Sequence, residues 1–125
     1  MNITLWIVQG ILAFVFLMAG LIKLSQPKHV LRKKIGYWVD SYTDGAIKTI
    51  GLTEVLGAIG LVLPMALNII PSLTIVAAAG LSITMIGAIA VHLKRKEMKE
   101  VTINLVLLLL TVFVLVGRLY ISPIF

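Results

Sequence analysis

Ile50-Gly51-Leu52-Thr53-Glu54-Val55-Leu56-Gly57-Ala58-Ile59-Gly60-Leu61-Val62-Leu63-Pro64 is an apolar run with one carboxylate in its middle and small residues on either side. A carboxylate buried in hydrocarbon costs several kcal/mol, about 2.5 or more, unless it is paired, neutralised or wetted. The rest of the chain must therefore supply something for Glu54. The stretch belongs to one of four apolar runs, at about 3–24, 46–67, 70–93 and 101–121. Each is long enough to cross ~30 Å of hydrocarbon as a helix. The 125 residues are 60% hydrophobic and only 13% charged, with mean hydropathy +1.10. That composition excludes an ordinary soluble domain. The reading is all-α: one integral membrane four-helix bundle over residues 1–125, with helices at about 3–25, 46–67, 70–93 and 101–121.

The absence of cysteine excludes disulfides, thiolate metal sites and thiol redox chemistry within the chain. Two histidines argue against a transition-metal site of protein ligands, and none is expected. The net charge of +6 is not spread as a nucleic-acid surface would be. Lys28, Arg32, Lys33 and Lys34 lie between the first two runs, and Lys94, Arg95, Lys96 and Lys99 between the last two. In a four-helix protein these loops share one side. The positive-inside rule makes that side cytoplasmic and puts both termini outside a cell membrane. The basic residues then meet anionic headgroups of the bilayer rather than nucleic acid. The first run lacks a basic leader and carries polar residues at helical spacing, so it is read as a mature helix rather than a signal peptide.

In that run Gln9, Ala13, Phe16, Gly20 and Lys23 recur along one face, leaving Ile7, Leu12, Val15, Leu17, Leu21 and Ile22 for lipid. Gln9 suits a helix–helix hydrogen bond. Lys23 suits either snorkelling to the headgroups or a carboxylate partner. After the break at Ser25-Gln26-Pro27, Leu31, Ile35, Trp38 and Tyr42 return at helical spacing opposite Arg32, Lys33 and Asp40. This predicts a short amphipathic helix in the cytoplasmic interface, with Trp38 at headgroup level. In the second run Gly51, Glu54, Ala58, Leu61 and Met65 share a face. Glu54 stands ~12 Å inside the cytoplasmic boundary, counting 1.5 Å per residue. The Ala- and Gly-rich third run reads as the most enclosed helix, and its His92 as a C-terminal cap. In the fourth, Asn104, Thr111 and Arg118 lie on one stripe. The stripes sort by depth into an outer layer, Gln9 and Arg118, and an inner one, Lys23, Glu54, His92 and Asn104. Six such residues argue for a polar bundle interior, with Glu54 meeting Lys23 and Arg118 approaching Gln9.

The pattern Leu5-Trp6-x-x-Gln9-x-x-Leu12-Ala13-x-x-Phe16-x-x-Ala19-Gly20-x-x-Lys23-Leu24 resembles the opening helix of the DoxX-like family. So do Gly51-x-x-Glu54-x-x-Gly57-Ala58-x-Gly60-Leu61-x-x-Pro64, then Met85-x-x-Ala88-x-x-x-His92-Leu93, then Gly117-Arg118. The resemblance implies a four-helix membrane protein. Relatives are associated with membrane oxidoreductase assemblies, including thiosulfate:quinone oxidation, and others resemble receptor-assembly chaperones. The expected function is a non-catalytic subunit binding a small apolar or amphipathic molecule, a quinone or a lipid, through Gln9, Lys23, Glu54, His92, Asn104 and Arg118. No spacing places a nucleophile beside a base, so no self-contained enzyme is expected. One alternative is a small proton- or cation-coupled transporter using Glu54, which a neutralising Lys23 would disfavour. Another is a membrane-protein assembly factor that meets a membrane or cytoplasmic protein partner, or a second copy of itself, through the basic loops and residues 31–42.

Overall fold

The computed structural model describes residues 1–121, so the last four residues of the expected 1–125 domain lie outside the described residues. It is all-helical, with α1 (Asn2–Ser25), α2 (Lys28–Ile35), α3 (Asp44–Ala66), α4 (Leu73–Lys94) and α5 (Met98–Val116). A 3₁₀ turn, Tyr37–Ser41, follows α2, and a π-turn, Gly117–Ile121, follows α5. Four helices are long and apolar enough to cross a membrane: α1, α3, α4 and α5 with its π-turn. They are the four apolar runs, with ends shifted by at most three residues.

α1 packs most extensively on α3, α3 on α4 and α4 on α5; α1 meets α5 much less. The α1–α3 crossing is close because both helices carry glycine where they meet. A Cβ on Gly20 would lie 2.6 Å from the Gly51 carbonyl oxygen, and one on Gly51 would lie 2.9 Å from that of Gly20. The core cluster holds Leu12, Phe16, Ala58, Leu61, Ala78, Leu81, Met85 and Val114. Leu12, expected to face lipid, is fully buried. It lies between Gln9 and Phe16 on the helix, and the buried face is wide enough to take it in. The most enclosed helix is also not the third span. α3 is the more buried, 33% of its span against 28% for α4, because its contact with α1 is the most extensive in the bundle.

The expected amphipathic helix after Pro27 divides in two. Gly36 sits at φ +112°, ψ 169°, a conformation open to glycine and strained for any other residue. There the chain leaves α2 and folds its 3₁₀ turn back. Leu31, Trp38 and Val39 then pack on Ile47 and Ile22, so Trp38 is buried against protein (9% exposed) rather than turned outward. Lys28 Nζ donates to the Tyr42 carbonyl, and Arg32 Nε donates to Asp40 at 2.6 Å, closing the segment on itself. α3 then starts with Thr43 as its cap, the hydroxyl accepting from the Ala46 amide. Lys48, one turn in, donates to the carbonyls of Lys23 and Gln26 at 2.7 Å. These are carbonyls at the end of α1 that its own ladder leaves open.

Candidate functional site

The two polar layers expected from the sequence are two separate clusters. In the outer one, Arg118 Nε donates to Gln9 Oε1 at 2.7 Å and Arg118 Nη1 to Asn2 Oδ1 at 2.7 Å. Gln9 in turn donates to the Leu61 carbonyl of α3. The guanidinium lies 5.5 Å from the centre of the Trp6 ring. Gly117 lets Leu5 in beside it, where a Cβ would come within 2.5 Å of the leucine methyl. Trp6 and Asn2 were not singled out as site residues, although with Gln9 they follow one another at about helical spacing on the same side of α1. This cluster ties α1 to α5 and to α3 at one end of the bundle. It is a structural latch.

Toward the other end α1 and α5 part, and a cavity of about 580 Å³ opens among α1, α3, α4 and α5. The 3₁₀ turn forms its floor. Most of the wall is apolar or small: Val15, Phe16, Ala19, Thr84, Met85, Gly87, Ala88, Val91, Ile103 and Leu107. Val15, Gly87 and Ile103 are exposed, so the opening faces the lipid side of the bundle. All four inner residues, Lys23, Glu54, His92 and Asn104, line this one space.

Within it, Lys23 Nζ and Glu54 Oε1 are 2.5 Å apart, with side chains 12% and 3% exposed. The glycine crossing sets this up: Gly51 lets Lys23 Cβ come in against α3, and the lysine stem then reaches along α3 to Glu54, three residues on. Lys23 Nζ is also 5.9 Å from the centre of the Trp38 ring. His92 does not join the ion pair. Its Nδ1 lies 2.9 Å from Glu97 Oε1, and its ring meets Trp38 edge-on with centroids 5.7 Å apart. Glu97 also accepts from Arg95 Nε at 3.2 Å, and Arg95 Nη1 donates to Ser41 Oγ of the 3₁₀ turn. His92 is thus a wall of the cavity as well as a last-turn residue of α4. Asn104 lines the cavity and makes no side-chain hydrogen bond among the described residues. Ser82 and Thr111 bond to each other at 2.9 Å, joining α4 to α5 beneath the cavity wall. Ser82 sits four residues after Ala78 and three before Met85, both buried, and shares their face of α4.

Trp38 is the residue whose facing sequence reasoning missed: it turns inward and forms the floor of the cavity. Among the described residues no group of three His, Cys, Asp or Glu could hold a metal ion. Chemically the cavity offers an apolar slot with cation, carboxylate, imidazole and amide gathered at one end. That is the layout of a pocket that orients a small molecule by its head and leaves the rest in an apolar surround.

A family model described as the DoxX-like family matches residues 7–114. No curated protein and no solved structure matches the chain.

Proposed function

The chain belongs to the DoxX-like family, and from that premise we propose that it is a non-catalytic membrane subunit that receives a quinone or a lipid in this cavity. The observation that carries the proposal is the placement of Lys23, Glu54, His92 and Asn104 around one space of about 580 Å³ whose other walls are apolar. The residues present fit a quinone. Lys23 Nζ and the Asn104 amide can donate to a carbonyl oxygen, and Ala19, Gly87 and Ala88 leave room for a flat ring. Electron transfer would belong to the bound quinone and to an oxidoreductase partner in the membrane, while this chain orients the headgroup and excludes water.

Gly87 gives the test, because a Cβ added there meets no atom within 4 Å. Gly87→Leu is expected to reduce binding of a short-tailed quinone at least tenfold in native mass spectrometry from detergent. Its thermal unfolding should stay unchanged or rise, leucine being the better helix former by about 0.8 kcal/mol. Full quinone occupancy in this variant would defeat the proposal.

In the proposed orientation both termini face outward and the loops carrying Lys28–Ile35 and Lys94–Lys99 face the cytoplasm. The cysteine-free chain makes this simple to check. Asn2→Cys and Lys96→Cys should react with an impermeant maleimide from opposite sides of oriented vesicles. Reaction of both from one side would reverse the assignment. The short Lys23–Glu54 contact weighs against the transporter alternative, since a fixed cation beside Glu54 opposes alternating ion binding there.

A further inference from the structure

We infer that the molecule taken by this cavity is electrically neutral and carries a hydroxyl group, and that His92 recognises that hydroxyl through Nε2. This rests on the ligand-binding proposal above and narrows it to a class: a phenol or alcohol head on an apolar body.

Neutrality follows from the charges on the wall. Two cations, Lys23 and Lys99, are matched by two carboxylates, Glu54 and Glu100. The deep pair is already in contact. Just outside, Glu97 is answered by Arg95. A carboxylate or phosphate head would have to break the Lys23–Glu54 contact or bring an unbalanced charge into an apolar space, and both are costly. A neutral head requires neither.

The hydroxyl follows from His92. Glu97 can only accept, so the hydrogen bond between Nδ1 and Glu97 Oε1 holds the proton of the neutral ring on Nδ1. Nε2 is then a bare lone pair on a ring that lines the cavity, with no hydrogen bond of its own among the described residues. The edge contact with Trp38 fixes the plane of the imidazole, and the indole N–H is committed to the Ile35 carbonyl at 2.9 Å. What Nε2 lacks is a donor. A ligand carbonyl can be served by Lys23 and Asn104, but it meets Nε2 lone pair to lone pair. A hydroxyl satisfies both sides, donating to Nε2 while accepting from Lys23 or Asn104.

The test is a binding panel on the whole chain in detergent, read by native mass spectrometry. The probes share one decyl tail and differ in head: a benzoquinol, its quinone, its dimethyl ether and a benzoic acid; a monoacylglycerol adds a lipid alcohol. The quinol is expected to bind about tenfold tighter than its ether and its quinone, the loss that follows when one buried acceptor goes unpaired. The acid should bind weakest. A monoacylglycerol stronger than the quinol would place the hydroxyl on a lipid, the reverse on a quinol, and either agrees with the inference. His92→Phe keeps the ring against Trp38 and should bring the quinol down to the level of the ether. The wild-type panel decides the matter by itself if that variant does not fold. Equal binding of quinol and ether would overturn the hydroxyl inference and leave the cavity proposal standing. Tightest binding by the acid would overturn neutrality. No binding by any probe would remove the cavity proposal and this inference together.

Discussion

Lys23→Ala and Glu54→Ala are each expected to destabilise the bundle by about 3–5 kcal/mol, the usual cost of stranding one partner of a buried ion pair. The double replacement should cost clearly less than their sum. The contact is 2.5 Å and both side chains are largely withdrawn from solvent, so neither survivor has water to fall back on. Among the described residues neither Lys23 nor Glu54 has a second ion-pair contact. Removing both leaves a cavity extension without a charge, which an apolar bundle tolerates better. Unfolding of the four proteins in detergent closes the cycle. Strictly additive losses would show that the two charges do not support each other.

A comparable loss should follow from a residue with no charge at all. Gly51→Val is expected to cost about 3 kcal/mol or more, at the upper end of what overpacking does. The added carbons would lie within 2.9 Å of the Gly20 carbonyl oxygen and of Lys23 Cβ. One of those is backbone and cannot turn away, so α1 and α3 must separate. Separation pulls Lys23 from Glu54, and the variant should lose the coupling in the cycle above along with its stability. A Gly51→Val protein that melts like the wild type with full Lys23–Glu54 coupling would mean the crossing is looser than described.

Much of this was legible in the chain because a membrane span declares itself by length and composition, without help from tertiary contacts. Facing could also be read where a polar residue marks the stripe: Lys23 and Glu54 meet, and Arg118 meets Gln9. It failed at Leu12, where no polar atom distinguishes a leucine buried by neighbours from one bathed in lipid. The inward facing of Trp38 escapes periodicity for another reason. Leu31, Ile35, Trp38 and Tyr42 keep helical spacing straight through Gly36, and periodicity does not register a backbone reversal at φ +112°. His92 was placed at the right depth, but its partner lies five residues on, across the turn that ends α4. Helical-face counting stops where the helix stops, so Glu97 was out of its reach.

The latch between α1 and α5 has a bearing on how the protein is made. Arg118 reaches Gln9 across 109 residues and Asn2 across 116. Everything from Asn2 to Arg118 must therefore have left the ribosome before that seam can close, whereas α1 and α3 can pair much earlier. Until α5 arrives, the wall carrying Ile103, Asn104 and Leu107 is missing and a nascent chain offers no enclosed space. A molecule that fills the cavity can recognise only the finished bundle. By mass action it stabilises that form and no earlier one, so supply of the ligand would favour completion of biogenesis.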